Sequence, residues 1–136
     1  DGKTPLPHFF LKTKGKKDFS PSFIKPKKEI ISTKFYQFIR ESLYRVTQPG
    51  GTAPLLQNTK VNIAAKTGTA EDAPDIHGKP TQDLWLAGFA PYQKPEIAAL
   101  VMFEKSTLEF GGDLSPIFKE GILYYFENKN NIIGVR

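Results

Sequence analysis

The sequence contains no cysteine among its 136 residues. A chain without cysteine has no disulfide framework, no thiolate zinc site and no thiol nucleophile. Long apolar stretches are also missing: the longest, residues 97–103, has seven residues, whereas a membrane-spanning helix needs about 20. The only two histidines, His8 and His77, have no acidic or histidine partner at ligand spacing. The sequence therefore predicts no metal site and implies no cofactor.

What is present is typical of a globular domain or of part of one, with 39% hydrophobic and 24% charged residues. The chain opens with Asp1, Gly2 and Lys3, without methionine and without an apolar leader segment. We interpret this as the start of a fragment or of a processed product.

The formal net charge of +5 is unevenly distributed. Residues 1–40 hold ten Lys and Arg against three Asp and Glu, whereas residues 41–136 hold nine against eleven. Most of the excess lies in residues 12–28, a lysine-rich stretch with prolines and serines. It contains no arginine and few aromatic residues, so a solvated loop is favoured over a nucleic-acid interface. A binding site for an anionic polymer remains an alternative for this stretch.

Hydrophobic periodicity predicts the order of the elements. Residues 6–12 look extended, and residues 13–31 form a basic, proline-punctuated loop. Residues 33–48 are expected to form a helix, capped by Ser32 or Thr33 and stopped by the Pro-Gly-Gly sequence at 49–51. One buried stripe is predicted for this helix, comprising Phe35, Phe38, Ile39, Leu43 and Val46.

The second half of the chain reads as strands followed by a helix. We expect a strand at 61–69, an exposed polar loop at 71–83, a hairpin over 84–104 and a helix at 115–127. The apolar stripe of this last helix comprises Phe118, Ile122, Tyr125 and Phe126. The pattern predicts an α+β fold in which an antiparallel sheet is packed by helices.

The stretch whose residues best suit binding or catalysis is KTGTA at residues 66–70, at the end of an apolar strand. Lys66 places a positive charge at the edge of the sheet, and the hydroxyls of Thr67 and Thr69 can bind a carboxylate. Gly68 lets a ligand approach the backbone closely, and the amide of Thr69 can donate to an oxyanion. The bare triplet K-T-G is common, so its context decides.

That context resembles the penicillin-binding proteins, most closely the class B transpeptidases of the elongation type. A G-T-A turn at 51–53 follows a helix, the KTGTA strand comes next, and a polar loop leads to WLAGFAP at 85–91. The similarity continues through residues 97–104 and 111–120. The resemblance implies that residues 1–136 are the C-terminal portion of a transpeptidase domain, with a β-lactamase/transpeptidase-like fold.

The resemblance also implies a reaction and a set of site residues. Enzymes of this family attack the D-Ala-D-Ala stem peptide of peptidoglycan through a serine acyl-enzyme, and β-lactams acylate the same serine. In that family the residue matching Lys66 is catalytic. The residues matching Thr67, Gly68 and Thr69 bind the substrate or drug.

Two motifs of the family have no counterpart at the expected places. The nucleophile belongs to S-x-x-K and is followed by S-x-N, both far before K-T-G. The string SFIK at 22–25 matches the first only as letters, since it lies between two prolines and close to K-T-G. We therefore expect the nucleophilic serine to lie outside this sequence, and the chain alone to be inactive.

Partners and location follow from the same resemblance. It implies binding of stem peptides and β-lactams, no nucleic acid, and cell-elongation proteins as partners of the whole protein. The place of action would be the periplasmic face of a bacterial cytoplasmic membrane, with the anchor outside this sequence. The alternative is a noncatalytic module that binds stem peptide or a protein partner. An S-x-x-K and an S-x-N encoded upstream would separate the enzyme from that module.

A first prediction concerns the part of the domain that carries the nucleophile and that we expect to lie outside this sequence. Without the nucleophile's part of the fold, an apolar face and an unpaired strand edge would be exposed. We expect the chain by itself to self-associate, to swap domains or to require a companion chain. Light scattering and thermal unfolding test this, and a monomer that unfolds cooperatively would contradict it.

Overall fold

The computed structural model describes residues 32–57 and 59–133, together with two short strands before them. The chain divides into two units, Asp1–Tyr36 and Gln37–Arg136. In the first unit, strand β1 (Thr4–Pro5) pairs antiparallel with strand β2 (Phe23–Ile24). Strand β2 therefore interrupts the loop predicted over 13–31. The extended segment predicted at 6–12, and the rest of that loop, lie outside the described residues.

The second unit contains a three-stranded antiparallel sheet. Its strands are β3 (Ala64–Asp72), β4 (Thr81–Ala90) and β5 (Ile97–Ser106), in the order β3-β4-β5. Helix α1 covers Thr33–Arg45, across the boundary of the two units, and helix α2 covers Ser115–Ile133. The predicted α+β class with an antiparallel sheet and helices is confirmed. None of the helices in the described ranges is long and apolar enough to cross a membrane.

The element boundaries differ from the sequence prediction where pairing or capping decides them. β3 begins at Ala64 and continues to Asp72, because its register with β4 runs as far as the Asp72–Thr81 pair. The connecting loop is therefore shorter than the predicted 71–83. Helix α1 ends at Arg45, after which the Thr47 amide and hydroxyl both donate to the Tyr44 carbonyl. Ser32 caps its start, since its side-chain oxygen accepts from the Phe35 amide at 3.4 Å.

The core lies between one face of the sheet and α2. Phe118 and Ile122 of α2 are fully buried, as their periodicity predicts, and Tyr125 and Phe126 are half-buried. Facing them are Leu84 and Leu86 of β4. Gly88 makes the contact possible, because a Cβ there would lie 2.5 Å from the Ala64 carbonyl oxygen and 3.0 Å from the Phe118 ring.

The prediction of a buried stripe on α1 is wrong. No residue of α1 is buried, and the Phe35 and Phe38 side chains are 50% and 66% exposed. Ile39 and Leu43 are only half-buried. Periodicity identifies the side chains that share one face of a helix, but the surface that covers this face is a matter of tertiary structure.

Within the second unit, α1 is fastened by polar and aromatic contacts to the connection between β4 and β5. The Arg40 guanidinium donates to the carbonyls of Tyr92 and Gln93, the latter at 2.7 Å, and lies 5.5 Å from the centre of the Tyr92 ring. The Tyr92 hydroxyl donates to the Glu41 carboxylate at 2.8 Å. The rings of Tyr44 and Tyr92 stack with centroids 4.5 Å apart. We call these four side chains, Arg40, Glu41, Tyr44 and Tyr92, the tyrosine clamp.

The clamp moves two pKa values in opposite directions. The hydrogen bond from Tyr92, followed by the one from Arg45, lowers the pKa of Glu41. The same bond to Glu41 is the largest cause of the raised pKa of Tyr92. A lowered carboxyl pKa stabilises the fold above the unfolded pKa, and this contribution disappears as the pH falls through the folded pKa. A raised phenol pKa stabilises below the unfolded pKa, and this contribution disappears as the pH rises through the folded pKa.

We predict that Tyr92→Phe lowers the urea midpoint of unfolding most strongly near neutral pH. The difference from the unsubstituted chain should shrink toward acid, where Glu41 is protonated, and toward alkali, where Tyr92 ionises. Urea titrations across a pH series measure it. Tyr124→Phe is the control, because that side chain is 63% exposed and lies outside the clamp. A difference that stays constant with pH would contradict the prediction.

Candidate functional site

A groove of ≈ 450 Å³ lies where β3, the turn after α1 and the turn before α2 meet. The turn before α2 is a 3₁₀ helix, Gly111–Leu114, and the turn after α1 leads into another, Pro54–Leu56. The groove is lined by Thr52, Pro54, Leu55, Thr67, Thr69, Phe110, Gly111, Gly112 and Asp113.

Strand β3 contributes the two threonines of KTGTA to this groove. Because side chains two apart on a strand point to the same face, Thr67 and Thr69 lie side by side. Lys66 and Gly68 occupy the alternate positions of β3, so they belong to the other face of the strand. Lys66 is exposed, and its ammonium group donates to the Thr67 carbonyl.

Gly68 lies opposite Trp85 in the β3–β4 pairing. A Cβ at Gly68 would lie 3.3 Å from the Trp85 Cβ, so the missing side chain leaves room for this neighbour. Trp85 is 37% exposed. The role expected for Gly68, close approach of a ligand to the backbone, stays a prediction.

A third hydroxyl reaches the groove from outside the strand. Thr52 Oγ1 lies 2.8 Å from Thr67 Oγ1. The turn that carries Thr52 is closed by a hydrogen bond from the Ala53 amide to the Val46 carbonyl at 2.9 Å. It requires glycine, because Gly50 has φ +82° and a Cβ at Gly51 would lie 2.2 Å from the Val46 carbonyl oxygen.

Thr69 is held from the other side by the turn before α2. The Gly111 amide donates to Thr69 Oγ1 at 3.2 Å. Side chains cannot be accommodated here: a Cβ at Gly111 would lie 2.6 Å from the Gly68 carbonyl oxygen, and one at Gly112 would lie 2.2 Å from the Thr52 carbonyl oxygen. The Gly111–Leu114 turn therefore packs backbone to backbone against both β3 and the Thr52 turn.

The groove is suited to binding an oxygen-rich group by hydrogen bonds. Three threonine hydroxyls line it, and hydroxyl donors can hold the oxygens of a carboxylate. Asp113, also in the lining, directs one carboxylate oxygen to the Phe110 amide at 3.1 Å. No group of three or more His, Cys, Asp or Glu within the described ranges could hold a metal ion.

The structure thus brings Thr67 and Thr69 together and leaves Lys66 and Gly68 on the alternate positions. Reasoning from the residues alone did not assign a site role to Thr52 or to the Gly111 amide. The glycine pairs at 50–51 and 111–112 were the available signal, since paired glycines mark places where two backbones approach closely.

Comparison with known proteins identifies the family of the chain. A family model described as the penicillin-binding protein transpeptidase domain matches residues 1–122. The chain belongs to this family. The resemblance carried by the KTGTA, G-T-A and WLAGFAP motifs is therefore confirmed for a class B transpeptidase domain, and the finer elongation-type assignment stays a prediction.

Two curated relatives and one solved structure are similar to the chain. The peptidoglycan D,D-transpeptidase FtsI of Buchnera aphidicola subsp. Baizongia pistaciae is 32% identical over 99 residues, covering 68% of this chain and 17% of that protein. The probable peptidoglycan D,D-transpeptidase PenA of Neisseria flavescens is 29% identical over 124 residues, covering 86% and 30%. Penicillin-binding protein 2B of Streptococcus pneumoniae strain R6 matches with a TM-score of 0.65 at 24% identity, covering 82% and 18%.

These matches support two statements. The likeness to penicillin-binding protein 2B shows the fold, and it agrees with the three-stranded antiparallel sheet and its helices. The chain spans about 17% and 30% of the two curated relatives. Activity, substrates and partners are properties of a whole protein, so for this chain they are matters of proposal.

The close packing of Gly111 beside the groove leads to a prediction about stability. We expect Gly111→Ala to lower the free energy of unfolding by about 1–3 kcal/mol, because its Cβ would overlap the backbone of Gly68 and Trp85. Gly121→Ala is the matched control. It lies within α2 with nothing within 4 Å of the added Cβ, so alanine there should stabilise by about 0.5–1 kcal/mol. Urea unfolding measures both, and equal stabilities would contradict the prediction.

Proposed function

We propose that the chain is part of a peptidoglycan D,D-transpeptidase that cross-links stem peptides through a serine acyl-enzyme. Within such an enzyme it would form the KTG wall of the active site. The observation that carries the proposal is the groove in which Thr67 and Thr69 present neighbouring hydroxyls from one strand. A penicillin and a D-Ala-D-Ala peptide both end in a carboxylate, the group that two such donors recognise.

The residues of the KTGT sequence on β3 would have different roles in the active site. Thr67 and Thr69 bind the carboxylate, and the Thr69 amide donates to the oxyanion that forms when the carbonyl is attacked. Lys66 occupies the alternate position of β3, but its ammonium group reaches the Thr67 carbonyl. It would therefore bring a positive charge beside the hydroxyls and support the proton network around the nucleophile. Gly68, which has no side chain, would let a ligand lie close to the backbone of β3.

The nucleophile would come from residues outside this sequence. The string SFIK at 22–25 is a poor candidate for it, because its two middle residues form strand β2. A serine and a lysine three apart meet on one face of a helix, whereas Phe23 and Ile24 between them are paired with β1 in a sheet. The chain alone is therefore expected to be inactive.

The setting of the whole protein follows from the same function. Cross-linking takes place on the outer side of the bacterial cytoplasmic membrane, so we propose the periplasmic face as the place of action and an anchor outside this sequence. Proteins of the cell-elongation machinery are the proposed partners. Self-association of this chain, or a companion chain, remains the expectation for the isolated piece.

A fluorescent penicillin tests the proposal. The protein expressed from its complete reading frame should be labelled covalently on a serine outside residues 1–136, and the 136-residue chain alone should not be labelled. Thr69→Val in the complete protein should slow labelling by about tenfold or more, since a hydrogen bond to a charged group is lost. Thr107→Val, at an exposed position after β5, is the control.

Gel fluorescence gives the labelling rates, and mass spectrometry locates the modified residue. Labelling of the isolated chain would overturn its predicted inactivity. A complete protein that is never acylated, yet retains stem peptide, would instead favour the noncatalytic binding module.

A further inference from the structure

Thr52 carries the one threonine hydroxyl of the groove lining that the proposed function leaves without a role. It lies outside β3, on the glycine turn after α1, and its hydroxyl is within 2.8 Å of the Thr67 hydroxyl. Both residues line the groove. A hydroxyl has one proton to donate, so in this pair only one of the two protons occupies the space between the oxygens. The other proton is free for a ligand.

The Thr52–Thr67 hydrogen bond can run in either direction, and Thr69 provides a comparison. The Gly111 amide donates to Thr69 Oγ1 at 3.2 Å, so an acceptor position of that hydroxyl is filled and its proton remains available. If Thr52 donates to Thr67, an acceptor position of the Thr67 hydroxyl is also filled, and its proton is also available. Both hydroxyls of β3 then have an oxygen engaged by a protein donor and a proton available to the groove.

A bound carboxylate would select this direction of the Thr52–Thr67 hydrogen bond. An anion accepts only, so Thr67 must donate to it, and a donation from Thr52 to the Thr67 oxygen strengthens that bond through polarisation. The opposite direction would aim the Thr67 proton at Thr52 and a lone pair at the anion.

We propose that Thr52 is a positioning residue that orients the Thr67 hydroxyl as a donor to the ligand's carboxylate. This inference rests on the proposed function of the groove. The Gly111 amide does for Thr69 what the Thr52 hydroxyl does for Thr67, so each binding hydroxyl has its own protein donor behind it.

The surroundings of Thr52 fix it for this task. The Ala53 amide bonds to the Val46 carbonyl at 2.9 Å, and Gly51 packs directly on that same carbonyl. On the other side, Gly112 approaches the Thr52 carbonyl more closely than any residue with a Cβ could. Replacing the Thr52 hydroxyl by a methyl group, as in Thr52→Val, removes the hydrogen bond and keeps the β-branched shape of the side chain.

The experiment compares two probes on the protein expressed from its complete reading frame. The first is a fluorescent penicillin with its free carboxylate, and the second is the methyl ester of the same compound. Thr52→Val should slow acylation by the free acid by about tenfold. The ester cannot receive the charged hydrogen bond, so its acylation rate should change by less than about twofold.

Two further variants separate orientation from structure. Thr52→Ser keeps the hydroxyl and should restore acylation by the free acid to within about threefold of the unsubstituted protein. Thr107→Val, which removes an exposed hydroxyl elsewhere, should leave both rates unchanged.

Equal slowing of both probes by Thr52→Val would overturn the inference, because it would indicate a general structural effect. An unchanged rate with the free acid would overturn it as well. In both cases the proposed function would stand, since the unsubstituted protein is acylated. An unsubstituted protein that neither probe acylates would overturn the proposed function and, with it, this inference.

Discussion

The contact on which the groove depends is between backbones. At Gly111 and Gly112 the turn before α2 lies so close to β3, β4 and the Thr52 turn that a side chain would overlap carbonyl oxygens at 2.2–2.6 Å. Because the turn leads directly into α2, the same contact sets where that helix begins. The core face of α2 and the lining of the groove are thus placed by one short segment of chain.

Given that contact, the chemistry of the groove follows from strand geometry. The two-residue period of β3 puts Thr67 and Thr69 on the same face. The neighbouring turns then contact one threonine each: the Thr52 hydroxyl is hydrogen-bonded to the Thr67 hydroxyl, and the Gly111 amide donates to Thr69. These two hydroxyls are the pair to which the proposed function assigns the two oxygens of the ligand's carboxylate.

Helix α1 illustrates a different way of attaching an element. Its sequence has the apolar spacing of a core helix, yet none of its residues is buried. The tyrosine clamp fastens it within the second unit, through charge-assisted hydrogen bonds and ring stacking. An amphipathic pattern is required for burial on one face, but it does not say whether a matching apolar surface is present.

The sequence by itself determined the order and type of the main elements, because hairpin connections, glycine turns and helical periodicity are local properties. It also determined the family, through motifs in a fixed order, and it named Thr67 and Thr69. Only the tertiary structure decided that Thr52 meets Thr67, 15 positions away, and that Gly111 meets Thr69, 42 positions away. Hydrogen bonds across such separations depend on how the turns and strands pack, and no local pattern of residues encodes that packing.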